Sequence, residues 1–252
     1  MNKIIDRMNE RYSRQIALRE IGVSGQRKLA ASSVLVIGAG GLGSPACLYL
    51  AAAGVGTIGL VDDDKVEVSN LQRQVMHTTG SVGKPKVQSA AAALKSLNPG
   101  VKIRCHQERF TVSNAARLLG PYDFIIDATD NLASKFLVAE ACHALAKPYS
   151  HAGISEFTGQ TMTVVPGRTC CYSCVFHPVP RPTGSTARPR GPFGAVPGVI
   201  GSVQAMEAIK QILGIGTLLT NRLLVFDALQ ATFRVVTFKR NPNCHVCGRK
   251  RK

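Results

Sequence analysis

The stretch Ser33-Val34-Leu35-Val36-Ile37-Gly38-Ala39-Gly40-Gly41-Leu42-Gly43 decides the fold of this chain. Ser33 to Ile37 is a short apolar run, as expected for a strand buried on both faces of a parallel sheet. Gly38, Gly40, Gly41 and Gly43 follow with the spacing of a nucleotide-binding fingerprint. Glycines so placed allow a tight turn and close approach of backbone to phosphate, while the next helix offers oriented amides to an anion. Leu42 to Ala53 reads as that helix, stopped by Gly54. Thr57 to Val61 is a second strand. Asp62 stands at its end, about 20 residues past the glycines, where a carboxylate binds ribose hydroxyls.

Outward from this unit, Lys86 to Leu97 reads as a helix closed by Asn98-Pro99-Gly100. Val101 to Cys105 and Asp123 to Asp127 read as strands, and Leu132 to Ala146 as a helix. Alternating strands and helices predict a mostly parallel sheet covered on both faces. After residue 150 the pattern changes. Thr161 to Val165, Leu223 to Asp227 and Thr232 to Phe238 read as strands without a helix between each pair, the last two close enough for a hairpin. Val199 to Leu213 is helical, and residues 177–198, rich in Pro, Gly, Ser and Arg, read as a mobile loop. The expectation is an α/β, Rossmann-like ATP-binding fold flanked by helices. Its mixed sheet is parallel in the N-terminal half and antiparallel in the C-terminal part. One domain spans 1–252, with a nucleotide-binding half at 1–160 and a second half at 161–252.

The chain has 252 residues, 45% of them hydrophobic, enough for a sizeable core. It has no unbroken apolar run of membrane-spanning length, and Met1-Asn2-Lys3-Ile4-Ile5-Asp6-Arg7 lacks an apolar signal region; a cytoplasmic protein is expected. The net charge of +16 is uneven, with thirteen Lys and Arg against only Glu207 and Asp227 in residues 157–252. That excess points to an acidic partner, or only to a solvated surface and the tail Arg249-Lys250-Arg251-Lys252. Nothing resembling an aromatic-interleaved basic motif or a recognition helix supports nucleic acid.

The fingerprint does not separate a dinucleotide from ATP; the polar residues around it do. Ser69-Asn70-Leu71-Gln72-Arg73-Gln74 brings amides and a guanidinium, and Gly83-Lys84-Pro85-Lys86 brings two ammonium groups. So many cations suit a triphosphate better than a dinucleotide's two phosphates. Asp127-Ala128-Thr129-Asp130-Asn131 ends the fourth strand. Ligands of open α/β sheets bind beyond the carboxyl ends of the strands, so Asp62 and Asp130 are expected in one crevice. A carboxylate beside a triphosphate is expected to bind magnesium; the alternative for Asp130 is an N-cap of the following helix. A hydride-transfer site is not evident. The histidines (His77, His106, His143, His151, His177, His245) read as structural or exposed.

Cys171-x-x-Cys174 and Cys244-x-x-Cys247 are two thiolate pairs. Four such ligands close a structural tetrahedral zinc site; disulfides are the alternative. Cys47, Cys105 and Cys142 read as small apolar side chains, and Cys170 as a neighbour of a ligand.

Taken together, Arg11-Tyr12-Ser13-Arg14-Gln15, Gly38 to Gly43, Ser69 to Gln74, Gly83 to Lys86, Asp127 to Asn131 and the paired CxxC motifs resemble the ThiF/MoeB/HesA adenylyltransferases, bacterial relatives of ubiquitin-activating enzymes. The resemblance covers Arg11 to Cys247. It implies attack on the α-phosphate of ATP by the C-terminal glycine carboxylate of a small ubiquitin-like sulfur carrier ending Gly-Gly. It also implies that Asp62 holds the ribose, that Arg73 and Lys86 stabilise phosphates, that Asp130 binds magnesium, and that Arg14 reaches the phosphates of the other subunit in a homodimer. Gly38, Gly40, Gly41, Gly43, Ser69, Asn70, Leu71, Gln72 and Asn131 complete the expected nucleotide site. The half 161–252 would then hold zinc and carrier. Many relatives carry a cysteine in the loop before the helix near Val199. Here Ser185 to Gly194 has none, and Ala187 stands about there. Adenylylation with a separate sulfur donor is therefore the expected activity, with Arg181, Arg188 and Arg190 gripping an acidic carrier. Adenylation of another carboxylate, on a peptide or a tRNA base, and a noncatalytic scaffold remain as alternatives. Thiamine and molybdenum cofactor pathways are both open.

Overall fold

The computed structural model describes residues 10–177 and 191–248. Helix α1 covers residues 10–16 and α2 Gly22–Ala31. Then follow β1 Ser33–Ile37, α3 Gly43–Ala53, β2 Thr57–Val61, α4 Lys86–Leu97, β3 Lys102–His106, α5 Val112–Leu119, β4 Phe124–Asp127 and α6 Leu132–Ala144. The remainder is β5 Tyr149–Ser155, β6 Thr158–Val164, α7 Tyr172–Val175, α8 Ala195–Leu213, β7 Arg222–Asp227 and β8 Thr232–Thr237.

All eight strands form one sheet, in the order β3-β2-β1-β4-β5-β6-β7-β8. Pairings from β3 through β5 are parallel, and those from β5 through β8 antiparallel. The mixed sheet expected from the sequence is present. Its change of direction falls between β5 and β6, and β6 straddles residue 160, the expected border between halves. The β7–β8 hairpin also forms, its turn held by Asp227 Oδ1, which accepts the N–H groups of Leu229 and Gln230 at 3.0 and 3.2 Å.

The apolar run of β1 is explained by burial on both faces. Val34 and Val36 join a core with α3, α4 and α8, while Leu35 and Ile37 join a second core with α5 and α6. A side-chain period of two sends alternate residues to opposite faces, so both sets must be apolar. Helix α3 therefore covers one face and α6 the other. Between β1 and β4 the connections part to opposite sides and leave a crevice at their carboxyl ends, the place where open α/β sheets bind ligands.

Most boundaries fall within one or two residues of expectation, but β6 begins at Thr158 rather than Thr161. Helix α8 begins at Ala195, not near Val199, with Pro197 in its first turn; a proline is tolerated there because the first N–H groups of a helix have no partner within it. The expected loop 177–198 thus ends earlier, and its residues 178–190, with Arg181, Arg188, Arg190 and Ala187, lie outside the described residues, as does the tail from Arg249. Helices α2 and α5 were not expected. Among the described residues no helix is long and apolar enough to cross a membrane.

Candidate active site

The glycine loop bridges β1 and α3, and two of its glycines are required by geometry. Gly38 has φ of +102°, and a Cβ there would stand 2.7 Å from the Ala128 carbonyl oxygen. A Cβ on Gly43 would stand 2.0 Å from the Gly38 oxygen, closing the turn that starts α3. Side chains from later segments hold the loop between them. Asp62 Oδ2 accepts the Ala39 N–H at 2.7 Å, and its Oδ1 accepts the Asp64 N–H at 2.9 Å. Buried His77 donates from Nε2 to the Ala39 carbonyl at 2.9 Å, with Ser89 Oγ at 2.9 Å from Nδ1. Burial lowers the His77 pKa, keeping it neutral in this structural role. Burial raises the Asp62 carboxyl, opposed by the Ala39 amide and the Lys86 charge.

A cavity of about 350 Å³ opens at this loop, walled by Gly38, Gly40, Asp62, Lys86, Asp130 and Asn131 among others. Lys86 is buried at the start of α4, its ammonium 2.7 Å from Asp64 Oδ2. A second, larger cavity of about 640 Å³ runs from Gly41 and Arg73 past Asp130 to Gly153, Thr158 and Gly159. Ala128, Thr129 and Asp130 belong to both walls. Asp62 and Asp130 therefore do share the crevice. Asp130 is exposed, and among the described residues its carboxylate accepts one hydrogen bond, from Asn131 Nδ2 at 3.3 Å. The N-cap of α6 is Asn131, whose Oδ1 accepts the Ser134 N–H at 2.9 Å. Capping thus does not occupy Asp130, and an exposed carboxylate between two cavities is a donor of the type that hard divalent cations take.

The run from Ser69 to Gln74 divides. Val68–Asn70 is a 3₁₀ turn closed by its own polar groups: Asn70 Oδ1 accepts the Glu67 N–H at 3.2 Å, and Ser69 Oγ donates to Glu67 at 3.2 Å. Ser69, Asn70, Leu71 and Gln72 stand outside the walls of both cavities. Arg73 and Gln74 enter the larger cavity instead. Arg73 Nη1 donates to the Ser69 carbonyl at 3.1 Å.

Arg14 is not in this crevice. Helix α1 docks at the opposite end of the sheet, where Arg11 donates to the Leu97 carbonyl at 2.9 Å, Asn98 Nδ2 donates to Tyr12 Oη at 2.7 Å and Gln15 donates to the Ala53 carbonyl at 2.9 Å. Arg14 itself is exposed.

Three residues without an expected functional role form a buried group, Lys135 and His151 in the wall of the larger cavity and Asp127 behind them. Asp127 Oδ2 lies 3.0 Å from His151 Nδ1 and 3.7 Å from Lys135 Nζ, all three side chains almost wholly buried. Burial pushes the Asp127 carboxyl up, but Lys135 and His151 outweigh it and hold it at about 2. Burial pulls His151 down to about 4, so it is neutral near pH 7, carrying its proton on Nδ1 toward the carboxylate. A lysine flanked by Phe136-Leu137-Val138 in the mostly apolar start of α6 was the available signal.

The four motif cysteines converge. Their Sγ atoms all lie within 4.8 Å, with separations of 3.8 Å for Cys171–Cys174, 3.5 Å for Cys171–Cys244 and 3.3 Å for Cys174–Cys247. Zinc–sulfur bonds of about 2.3 Å in a tetrahedron put sulfurs about 3.8 Å apart, against about 2.05 Å in a disulfide. The cluster fits zinc. Cys170 stays out, its backbone N–H donating to Asn221 Oδ1 at 2.7 Å. Cys47 and Cys142 are buried as expected, whereas Cys105 on the edge strand is exposed.

With the geometry in view, similarity to known proteins is informative. The model of the ThiF family matches residues 12–246. The chain is 46% identical over 246 residues to the sulfur carrier protein adenylyltransferase of Thermus thermophilus, covering 95% of this chain and 90% of that protein. It is 45% identical over 240 residues to the SAMP-activating enzyme E1 of Haloferax volcanii, covering 95% and 88%. The adenylyltransferase and sulfurtransferase MOCS3 of Arabidopsis thaliana is 47% identical, but the chain spans 52% of its length. Among solved structures, Escherichia coli MccB with ATP superposes with a TM-score of 0.84 at 26% identity, covering 95% of this chain and 75% of MccB. A match that runs from helix α1 almost to the last motif cysteine, with relatives of near-equal length, shows that the chain belongs to the ThiF family.

Proposed function

We propose that the protein uses ATP to adenylylate the C-terminal glycine carboxylate of a small ubiquitin-like sulfur carrier, releasing pyrophosphate. One observation carries this reading: two cavities with different walls share the Ala128–Asp130 turn. The smaller has the glycine loop, Asp62 and Lys86 that a nucleotide needs. The larger leads away between Gly153 and Gly159 and suits an extended tail of small residues. Relatives named for sulfur-carrier and SAMP activation support the substrate class.

In this reading a carboxylate oxygen of the carrier attacks the α-phosphorus from the larger cavity. The bond from that phosphorus to the bridging oxygen of the β-phosphate breaks, pyrophosphate leaves with the electron pair, and a mixed acyl-phosphate anhydride remains. The attacking carboxylate is already ionised near neutral pH, so the reaction needs alignment and charge neutralisation rather than a general base. Gly38 to Gly43 and the start of α3 cradle phosphate through backbone N–H groups. Asp62 receives ribose hydroxyls on the lone pairs not used by Ala39 and Asp64. Lys86 exchanges its Asp64 partner for phosphate, and Arg73 neutralises charge on the side of the incoming carboxylate. Asp130 would hold magnesium, which supplies neutralisation of phosphate charge. The four cysteines would hold zinc as a structural ion. A homodimer brings Arg14 to the other subunit's crevice, and a separate sulfur donor converts the activated carrier to its thiocarboxylate.

Pyrophosphate exchange into ATP tests the proposal, with purified protein and candidate carriers. Exchange is expected with a carrier ending Gly-Gly and not with the same carrier lacking its last glycine. Exchange driven instead by a small acid or an unrelated peptide would replace the carrier assignment. Arg73→Ala and Asp130→Ala should each lower exchange at least about a hundredfold at unchanged thermal midpoint, the scale of losing a group that stabilises transition-state charge; near-normal exchange would remove their assigned roles.

A further inference from the structure

Thr129 precedes Asp130 in the turn shared by both cavities, and all three of its polar groups are tied down. Its backbone N–H and its hydroxyl donate to Asp127 Oδ1 at 3.1 and 2.6 Å. Its carbonyl accepts from Lys135 Nζ at 2.5 Å. The same ammonium donates to the Ala152 carbonyl on β5 at 2.6 Å. Lysine is rarely buried without compensation, and apolar side chains of similar size would fill this volume at lower cost. The bonds this one makes join two elements that β4 alone does not link: the turn beyond its end and the neighbouring strand. On the far side of Asp130, Asn131 is held by its capping bond to Ser134 at 2.9 Å. Asp130 is thus suspended between two fixed residues while its own carboxylate stays accessible.

We propose that Lys135 is a positioning residue for the transfer reaction. Backed by Asp127, it straps the Thr129 carbonyl to β5 and so sets where Asp130 stands between nucleotide and incoming carboxylate. The inference rests on the function proposed above and deepens it. Lys135 lies in the wall of the larger cavity, but its ammonium is spent on the Thr129 and Ala152 carbonyls; it acts through the turn.

Three variants test it: Lys135→Met, Lys135→Arg and the double variant Asp127→Asn with Lys135→Met. The double variant removes the buried charges together but leaves an Oδ1 acceptor for Thr129, so it separates strapping from charge balance. Thermal midpoint, the dissociation constant of ATP with magnesium by calorimetry, and kcat and KM for exchange are read for each. Lys135→Met should lower kcat at least about tenfold with KM for the carrier changed less than about threefold, the pattern of a lost transition-state interaction. The double variant should regain thermal midpoint but not kcat or magnesium-dependent ATP affinity, and Lys135→Arg should recover part of both. Recovery of kcat with stability in the double variant would reduce Lys135 to charge balance and overturn the proposal, as would unchanged kcat in Lys135→Met. Should Lys135→Met not fold, the double and Arg variants still decide. Wild-type protein that binds ATP with magnesium yet exchanges with no carrier would sink the proposed function alone, since the affinity measurements still judge the strap. Wild-type protein that binds no ATP would sink both.

Discussion

At the residue scale, the decisive contacts are short and specific. A methyl group on Gly43 would stand 2.0 Å from the Gly38 oxygen, so the loop must open to admit it. Gly43→Ala should cost about 2 kcal/mol or more of stability and weaken ATP binding with it; equilibrium unfolding and calorimetry check both. His151 makes the protein acid-sensitive. Its folded pKa of about 4 lies below the ordinary value of 6.5. Between those values the unfolded chain binds the extra proton, so stability is lost as pH falls through that window, by about 3 kcal/mol at most. Asp127, held at about 2 against an ordinary 3.8, adds a further loss below about pH 4. Burial lowers the Lys135 pKa and the Asp127 charge opposes that, and the rings of Tyr172 and Phe176 complete the pocket at 4.5 and 5.4 Å from the imidazole. His151→Gln should flatten the fall in thermal midpoint between pH 6.5 and 4 relative to wild type. A variant as steep as wild type would assign the acid sensitivity to other groups.

At the element scale, the cysteine cluster links α7 to the segment after β8. Tyr172 follows Cys171 of the cluster and packs on His151, at the wall of the larger cavity. Metal analysis should find about one zinc per chain for a closed four-cysteine site. Chelation, or Cys247→Ser, should lower the thermal midpoint and raise KM for the carrier more than it weakens ATP binding, because the glycine loop lies across the sheet from the cluster. Metal-free protein with full stability would rule the zinc site out. Helix α1 shows how a motif divides its labour: Arg11, Tyr12 and Gln15 anchor it, which leaves Arg14 pointing to solvent rather than to this chain's own crevice.

At the scale of the whole molecule, that exposed arginine makes the proposed homodimer testable. If each active site takes Arg73 from one chain and Arg14 from its twofold mate, then Arg14→Ala and Arg73→Ala proteins are each inactive. Random reassociation of an equal mixture should restore about a quarter of wild-type exchange, since half the dimers are mixed and each has one intact site. No recovery after verified subunit exchange would separate Arg14 from the partner's site. The single eight-stranded sheet carries the same lesson. Its parallel part builds the smaller cavity, its antiparallel part supplies Thr158 and Gly159 to the larger, and the turn after β4 joins them.

Local patterns were enough to read the strand–glycine–helix unit, the change from parallel to antiparallel pairing, the hairpin and the paired cysteine motifs, because each depends on neighbours in sequence. Periodicity declares burial, glycine declares a conformation other residues refuse, and cysteines with two residues between them mark a candidate metal site. Helices α2 and α5 escaped because segments of ten and eight residues are marginal as helices without the packing that stabilises them. What only the tertiary structure decided is where polar groups spend their hydrogen bonds. Asn70 closes its own 3₁₀ turn, Asp130 looked like a possible cap and Asn131 takes that place, and Lys135, unremarked in the sequence, lies buried between two carbonyls. Those choices depend on distances between segments far apart in the chain, which no local pattern encodes.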